Sequence, residues 1–260
     1  MKVIFYKYHG TGNDFIIIDN FNVAAPVLSA KQIKHACQQH FGIGADGLMY
    51  LSKKDGYDFE MQYYNADGNQ STMCGNGGRC LVKFAYQMGI HKSIYHFFAV
   101  DGAHEAEIES EGTVRLKMKD VNEVKYQTGH AVINTGSPHF VKFATNVEDV
   151  DVVASGGDIR YSSSFATEGI NVNFVETVDD DAIFVRTYER GVEDETLSCG
   201  TGVTAAALIS AHNEKGFNTV NVKTKGGNLS VQFDKIDDKH FENIWLCGPA
   251  VFVFKGEFEI

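Results

Sequence analysis

The sequence has little proline and tryptophan and no long apolar run. Only 3 prolines and 1 tryptophan occur in 260 residues, and no proline-rich or low-complexity linker separates the two halves. The apolar run Phe15-Ile16-Ile17-Ile18 ends at Asp19, whereas a membrane-spanning helix needs about 20 apolar residues. The sequence therefore predicts a globular chain without a membrane-spanning helix.

Acidic residues outnumber basic ones, and the first residues do not have the pattern of a secretory signal. Lys and Arg number 23 against 34 Asp and Glu, which gives a net charge of −11 and argues against nucleic acid or an anionic membrane as a partner. The first residues, with Lys2, Lys7 and His9, lack the apolar stretch of a secretory signal. We expect a cytoplasmic protein that holds any anionic substrate with local hydrogen-bond donors.

The cysteines form neither a disulfide framework nor a metal motif. Their number, 5, is odd, and a chain of this length does not need cross-links. The pairs Cys-x-x-Cys and His-Glu-x-x-His do not occur, so no structural metal is expected. The cysteines are Cys37, Cys74, Cys80, Cys199 and Cys247.

A cysteine motif occurs twice. Met73–Gly77 reads Met-Cys-Gly-Asn-Gly and Ser198–Gly202 reads Ser-Cys-Gly-Thr-Gly, with the cysteines 199 − 74 = 125 residues apart. Gly12 and Gly136, which each lead into a run ending in Phe, keep nearly the same offset, 136 − 12 = 124. A fixed offset across several landmarks indicates two copies of one structural unit.

Short strand patterns dominate both halves. Strands are predicted over residues 3–8, 15–19, 59–64, 115–118, 131–135, 140–143, 172–178, 182–188, 220–224, 229–233 and 251–254. Helices are predicted after each cysteine motif and near the N-terminus, over residues 79–88, 203–211 and 30–40. In the last of these, Ile33, Ala36, Cys37 and Phe41 share one face.

Each half therefore combines many strands with one main helix. A curled, mostly antiparallel sheet around that helix would bury it, which is an α/β arrangement of the α+β kind. The polar stretch 120–129 is the predicted boundary between the halves.

Cys74 and Cys199 each stand where a helix is predicted to begin. Unpaired backbone N–H groups and the helix dipole attract a carboxylate at this place, and they also favour a thiolate. A buried structural cysteine beside a glycine turn is the alternative for either motif alone. Two copies in register favour a reactive pair, because duplicated packing does not require a reactive side chain in both copies.

Two thiols facing each other suit the inversion of a carbon centre. One group removes a proton from one face while the other delivers a proton to the opposite face, and the roles exchange in the reverse reaction. A carbon next to a carboxylate is a weak acid, so the developing negative charge needs stabilisation. Two helix N-termini aimed at that carboxylate would provide it.

Further polar residues are candidates for the same site. They are Asn13, Asn65, Asn171, His139 and the pair Glu189-Arg190. Arginine offers a bidentate fork to a carboxylate, and a histidine could tune the protonation of a thiol. The alternatives are ordinary turn asparagines, a solvated charge pair and a structural histidine.

With these residues the sequence resembles the diaminopimelate epimerase family over almost the whole chain. No single segment is specific, but the set in this order is. The matching segments are His9–Phe15, Gly42–Gly47, Asn65–Gly68, Cys74–Cys80, Tyr188–Gly191, Cys199–Gly202 and Gly248–Val251.

The resemblance implies an epimerase that converts LL-2,6-diaminopimelate to the meso isomer without pyridoxal phosphate, metal or other cofactor. Cys74 and Cys199 would be the thiol/thiolate pair, with Gly75-Asn76 and Gly200-Thr201 holding the reacting carboxylate. Asn13, Asn65, Asn171 and Arg190 would recognise this small-molecule substrate, with Glu189 and His139 assisting.

The resemblance also implies the architecture and the setting. Two pseudo-symmetric lobes, each a mostly antiparallel strand barrel around a central helix, would enclose the site in a cleft. The first lobe would hold residues 1–120 and a returning strand near 251–260, and the second would hold 121–250. Homodimers are common among relatives, and the pathway would be the synthesis of lysine and peptidoglycan precursors in a bacterial cytoplasm.

Three positions depart from the family pattern. Ser137 stands where many relatives carry a substrate-binding asparagine, so that role is not transferred. Gln70 occupies a position where an acid is frequent, and residues 192–195 are one residue longer than the common form. We expect an active enzyme, since none of these touches either cysteine.

Three other functions remain open at this point. A proline racemase-like or hydroxyproline epimerase-like enzyme could use the same scaffold. A cysteine-dependent acyl transferase could pair one cysteine with His139, although the second cysteine then has no role. A thiol-redox protein could cycle Cys74 and Cys199 through a disulfide.

Overall fold

The computed structural model describes residues 2–109, 111–211 and 215–259. The chain divides into two compact units, Met1–Leu116 with Gly248–Ile260, and Lys117–Cys247. Residue 260, the end of the predicted last strand, lies outside the described residues. Within the described ranges, no helix is both long enough and apolar enough to cross a membrane.

The first unit contains eight strands and two helices in its described residues. The strands are β1 (Lys2–Gly10), β2 (Asn13–Asn20), β3 (Gly47–Ser52), β4 (Phe59–Asn65), β5 (Ile94–Ala99), β6 (Gly102–Ile108), β7 (Val114–Lys117) and β17 (Val251–Glu259). The helices are α1 (Ala30–Cys37) and α2 (Gly75–Gln87). The strands are hydrogen-bonded in the order β17-β1-β2-β3-β4-β5-β6-β7.

The second unit repeats this plan in its described residues. Its strands are β8 (Val124–Gln127), β9 (His130–Asn134), β10 (Pro138–Phe143), β11 (Asn171–Asp179), β12 (Ala182–Glu189), β13 (Asp194–Thr196), β14 (Gly216–Thr224), β15 (Gly227–Lys235) and β16 (Phe241–Gly248). Its helices are α3 (Val152–Arg160) and α4 (Gly200–Ser210). The order is β8-β9-β10-β11-β12-β14-β15-β16, with the short β13 beside β12.

The two strand orders match in direction at every step. In each unit the third and fifth pairings are parallel and the other five are antiparallel. A parallel pair needs a long crossover connection, and each of the four is spanned by a helix. The duplication and the α+β fold are confirmed.

Helices α2 and α4 are the central helices of their units. Helix α2 packs against β1, β2, β3 and β6, and α4 packs against β9, β10, β11, β12, β14 and β15. Every residue from Gly202 to Leu208 is buried, as expected for a helix surrounded by sheet.

Both central helices begin earlier than the sequence predicts. Helix α2 begins at Gly75 rather than at residue 79, and α4 begins at Gly200 rather than at residue 203. Glycine has a low helix propensity, so the glycine-rich first turns resemble loops in the sequence. Close packing explains Gly202, since a Cβ there would lie 2.4 Å from Asn173 Oδ1.

Helix α1 ends earlier than predicted. Ser29 and Gln32 form a capping box at its start, but the helix ends at Cys37 rather than at residue 40. Its predicted apolar face is correct for Ile33, Ala36 and Cys37, but Phe41 is wrong because it is 75% exposed. The chain turns back after Cys37, and Ile43 takes the place beside the core, with its N–H bonded to Ala36 O at 2.8 Å.

Several elements are missing from the sequence prediction. Helix α3 is absent from the sequence prediction, although the expectation of one main helix in each half is confirmed by α2 and α4. Two adjacent glycines weaken its helical pattern, and Gly156 has no room for a side chain because a Cβ would lie 2.4 Å from Tyr188 Cβ. The strands absent from the prediction are β3, β5, β6, β8, β13 and β16.

Candidate active site

Cys74 is the N-cap residue of α2. Its backbone is extended, with φ −96° and ψ 127°, and its carbonyl accepts the hydrogen bond from the Gly78 N–H at 2.7 Å. The half-buried side chain lies 3.6 Å from Asn13 Oδ1, with the sulfur as the donor. Asn13 begins β2, so two of the predicted site residues, Cys74 and Asn13, come together within the first unit.

Two charged groups fix the amide that faces Cys74. Asp46 Oδ2 accepts from Asn13 Nδ2 at 2.6 Å, and the buried guanidinium of Arg79 donates from Nη2 to Asn76 Oδ1 at 3.0 Å. Asn76 Nδ2 then donates to Asn13 Oδ1 at 3.3 Å. Because the carboxylate can only accept and the guanidinium can only donate, Asn13 presents its oxygen to Cys74.

An ion pair holds the base of this network. Lys7 Nζ lies 2.7 Å from Asp14 Oδ2, with the lysine side chain 8% exposed. Asp14 and Asp46 exchange hydrogen bonds between their backbone N–H groups and carboxylates, each at 3.0 Å. These bonds fix the start of β2 against the segment before β3.

Cys199 occupies the equivalent position in the second unit. It is the N-cap of α4, with φ −111° and ψ 112°, and is 8% exposed. Its sulfur lies 3.5 Å from Thr201 Oγ1, which lies 2.9 Å from His139 Nε2. The predicted residues Cys199, Thr201 and His139 therefore form one hydrogen-bonded chain.

His139 is neutral, and its tautomer is fixed by its neighbours. Asn173 Nδ2 donates to Phe140 O at 3.1 Å and reaches His139 Nδ1 at 3.1 Å, while Asn173 Oδ1 accepts from Thr187 Oγ1 at 3.0 Å. Nδ1 is thus an acceptor, and Nε2 carries the proton donated to Thr201. Burial, and to a lesser extent the charge of Arg190, lower the pKa of His139 to about 3, although the hydrogen bond with Asn173 opposes the shift.

Acid should destabilise the fold through this histidine. The pKa of His139 is below its ordinary 6.5, so between pH 6.5 and about 3 the unfolded chain binds a proton that the folded protein does not. The free energy of unfolding then falls by about 1.4 kcal/mol for each pH unit in this window. Urea unfolding from pH 4 to 8 should show a shallower acid limb for His139→Phe, and identical limbs would contradict the assignment.

Asn171, Arg190 and Ser137 form a second cluster in the second unit. Asn171 Nδ2 donates to Ser137 Oγ at 2.9 Å, and Asn171 Oδ1 accepts from the Arg190 N–H at 2.8 Å. Arg190 Nη2 also donates to Ser137 Oγ at 3.4 Å, and its Nη1 to Glu168 O at 2.8 Å. The half-exposed guanidinium is thus oriented by the protein.

The remaining predicted residues lie at strand ends. Glu189 ends β12, and its Oε2 accepts from Thr196 Oγ1 at 2.9 Å. Asn65 ends β4 and is exposed, with its backbone N–H bonded to Asn69 O at 2.9 Å. The predicted site residues Gly75 and Gly200 are instead the first residues of α2 and α4.

Sequence reasoning missed four residues that organise the site. They are Asp46, Arg79, Asn173 and Thr187. Asn173 carried a signal, because Asn171 and Asn173 are two apart on one strand and therefore share a face. In the described part of the chain, no group of three His, Cys, Asp or Glu side chains is arranged to hold a metal ion.

The same fold occurs in solved structures with different names, one of them an epimerase. A PhzF-family phenazine biosynthesis protein from Bacillus anthracis superposes with a TM-score of 0.74 at 14% identity, covering 100% of both chains. A hydroxyproline epimerase from Agrobacterium vitis superposes with a TM-score of 0.69 at 13% identity, covering 98% of this chain and 92% of that one. At such identities the likeness shows the fold alone.

The sequence comparison identifies the family. The family model for diaminopimelate epimerase matches residues 5–134 and again 131–253. A diaminopimelate epimerase of Flavobacterium psychrophilum is 49% identical over 251 residues, which cover 96% of this chain and 98% of that protein. The chain belongs to the diaminopimelate epimerase family, and it is an isomerase.

Proposed function

We propose that this enzyme converts LL-2,6-diaminopimelate to the meso isomer with Cys74 and Cys199 as the two acid–base groups. One observation carries the proposal. Each copy of the duplicated unit begins its central helix with a cysteine whose sulfur contacts a polar side chain, Asn13 in one unit and Thr201 in the other. Family membership supplies the substrate.

The reaction conserves the number of protons on the two sulfurs but exchanges which one is the thiolate. The thiolate takes the α-hydrogen of the substrate as a proton and becomes a thiol, and the electron pair of the broken C–H bond delocalises into the α-carboxylate. The other thiol then delivers its proton to the opposite face and becomes a thiolate. The N–H groups at the starts of α2 and α4, at Gly75-Asn76 and Gly200-Thr201, stabilise the negative charge on the carboxylate.

Substrate recognition falls to polar residues of both units. Asn13, Asn65 and Asn171 would bind the amino and carboxylate groups. Arg190 would bind the distal carboxylate through its fork, with Glu189 beside it to bind an ammonium group. We infer that the site lies in a cleft between the two lobes, residues 1–120 with 251–260 and residues 121–250.

The wider setting follows from the same proposal. The enzyme works without a cofactor in a bacterial cytoplasm, in the synthesis of lysine and peptidoglycan precursors. A homodimer remains our prediction for its assembly.

The geometry of His139 argues against acyl transfer. A cysteine-dependent acyl transferase needs a histidine that accepts the thiol proton. His139 Nε2 instead carries a proton and donates it to Thr201 Oγ1, while Nδ1 accepts from Asn173. In this arrangement His139 orients the Thr201 hydroxyl for a hydrogen bond to Cys199 and does not act as a general base.

Incubation with LL-2,6-diaminopimelate in deuterium oxide tests the proposal. We expect the meso isomer to appear with deuterium at the inverted carbon, as measured by chiral chromatography and mass spectrometry. Proline and hydroxyproline are the comparison substrates and should remain unchanged. Inversion of the cyclic substrates alone, or product formed without deuterium, would contradict it.

A further inference from the structure

Beneath the central helices α2 and α4, three equivalent positions hold different residue types in the two units. The strand registers pair Phe15 with Gly47 and Met49 with Tyr63 in the first unit, and His139 with Asn171 and Asn173 with Thr187 in the second. A constant offset of 124 residues therefore relates the two sets, since 15 + 124 = 139, 49 + 124 = 173 and 63 + 124 = 187. Phe15, Met49 and Tyr63 correspond to His139, Asn173 and Thr187.

The equivalent glycines Gly77 and Gly202 show that two members of each set lie under the same helical turn. A Cβ at Gly77 would lie 3.1 Å from Met49 Sδ and 3.5 Å from Phe15 Cε1. A Cβ at Gly202 would lie 2.4 Å from Asn173 Oδ1 and 3.3 Å from His139 Cε1. In the first unit Phe15 and Met49 fill this space with apolar side chains, so the fold itself does not need polar groups here.

The three polar residues of the second unit are buried, and burying polar groups costs free energy unless they are hydrogen-bonded. His139 and Asn173 are 0% exposed, and Thr187 is 3% exposed. Buried polar groups need matched partners, and apolar side chains of similar volume are often equally stable. Since the duplicate unit does without them, a role in packing does not account for these three residues.

We propose that Asn173 and Thr187 are positioning residues that act through His139 and Thr201 to make Cys199 the thiolate of the resting enzyme, while the Asn13 amide oxygen keeps Cys74 as the thiol. The inference rests on the proposed function, because it assigns the starting protonation states of that reaction. It gives the two thiols opposite roles before the substrate binds.

The direction of the hydrogen bonds that lead to each sulfur is set by the groups at the far end of each hydrogen-bonded chain. In the second unit, His139 Nε2–H donates to Thr201 Oγ1, so the Thr201 hydroxyl proton is available to Cys199 Sγ at 3.5 Å. A hydrogen bond donated to sulfur stabilises the thiolate. In the first unit, Asn13 Oδ1 accepts from Cys74 Sγ at 3.6 Å, and a bond accepted from sulfur stabilises the thiol.

Charged groups lie close to the residues that contact Cys74. The carboxylate of Asp46 accepts from Asn13, and the guanidinium of Arg79 donates to Asn76. A negative charge near a sulfur favours the thiol, and a positive charge favours the thiolate. The Arg79 guanidinium donates to oxygen atoms of Asn76, Gly75 and Thr11.

The other titratable and charged residues of the two sites differ between the units. On α2, burial raises the pKa of Cys80 to about 12, so it stays neutral, and Lys7 on β1 is paired with Asp14. In the second unit, Arg190 follows β12 and its charge lowers the pKa of His139, while Glu189 ends β12 with its carboxylate bonded to Thr196 Oγ1. His139 contributes hydrogen bonds and no charge.

Alkylation of each thiol as a function of pH tests the proposal without substrate. Iodoacetamide rates are measured for the peptides of Cys74 and Cys199 by mass spectrometry from pH 5 to 10. The pH midpoint of each rate reports ionisation independently of access to the sulfur. We expect the midpoint of Cys199 to lie below that of Cys74.

Matched variants distinguish the effect of these hydrogen bonds on the ionisation of Cys199 from an effect of side-chain packing. Thr201→Val removes the hydroxyl at nearly constant shape and should raise the Cys199 midpoint by about one pH unit or more. Thr201→Ser should restore it. Asn173→Met, which installs the residue of the first unit, should raise it as well. Asn13→Ala should lower the midpoint of Cys74.

Equal or reversed midpoints in the wild-type enzyme would overturn the proposal, and this result needs no variant to fold. An unchanged Cys199 midpoint in a folded Thr201→Val protein would do the same. The proposed function fails separately, if the wild-type enzyme does not invert diaminopimelate while the two midpoints differ as expected.

Discussion

Cys74→Ser and Cys199→Ser should each lower kcat for epimerisation by about 10²–10⁴-fold, the range typical of a lost general acid or base. A serine hydroxyl is too weak an acid to take the place of a thiol at neutral pH. Both directions of the reaction should suffer, because each thiol is the base in one direction and the acid in the other. Turnover of each isomer measured by chiral chromatography is the test.

Cys37→Ala is the matched control for the cysteine variants. Cys37 is buried on α1, and burial raises its pKa to about 12, so it cannot act as a base at neutral pH. We expect it to keep its activity, and the double variant of Cys74 and Cys199 to be little worse than either single one. A single serine variant with nearly full activity in both directions would contradict the assignment.

Gly202→Ala should lower kcat at least tenfold and also reduce stability. The new Cβ would lie 2.4 Å from Asn173 Oδ1, a distance that requires Asn173 to move. Moving Asn173 breaks its hydrogen bond with Thr187, and Asn173 then no longer fixes the tautomer of His139. Overpacking of this kind costs about 1–3 kcal/mol, which exceeds the gain of about 1 kcal/mol from alanine in a helix.

Gly77→Ala offers the internal comparison. Its Cβ would meet the ends of two flexible methionines, Met49 at 3.1 Å and Met61 at 3.4 Å, which can shift by rotation. We expect a change in stability within about 1 kcal/mol and a smaller loss of kcat than for Gly202→Ala. Equal losses in the two variants, measured by thermal unfolding and steady-state kinetics, would show that the relay has no special role.

The duplication and the strand-rich fold could be predicted because they rest on local patterns. The repeated Cys-Gly-x-Gly segments and the alternating strands are visible along the chain. Helix α3 was missed because glycines interrupt it, and its need becomes clear only once β10 and β11 are known to be parallel. The starts of α2 and α4 were misplaced because tertiary packing, not propensity, selects glycine there.

The candidate site could be predicted only in part. Cys74, Cys199 and His139 have reactive groups that draw attention in a sequence. Asp46 and Asn173 contribute by fixing the orientation of another side chain, and the partner becomes known only from the structure. The contrast between Met49 and Asn173 likewise depends on strand register, which no sequence pattern states.

Hydrogen exchange in the single-cysteine variants tests the central claim most directly. Each variant is incubated in deuterium oxide with purified LL or meso diaminopimelate, and exchange at the epimerised carbon is followed without requiring inversion. With one of the two proposed catalytic thiols left, Cys74→Ser and Cys199→Ser should each exchange the α-hydrogen of one isomer only, and the two variants should choose opposite isomers. Exchange of the same isomer by both variants, or of both isomers by either one, would contradict two thiols that serve opposite faces of one carbon.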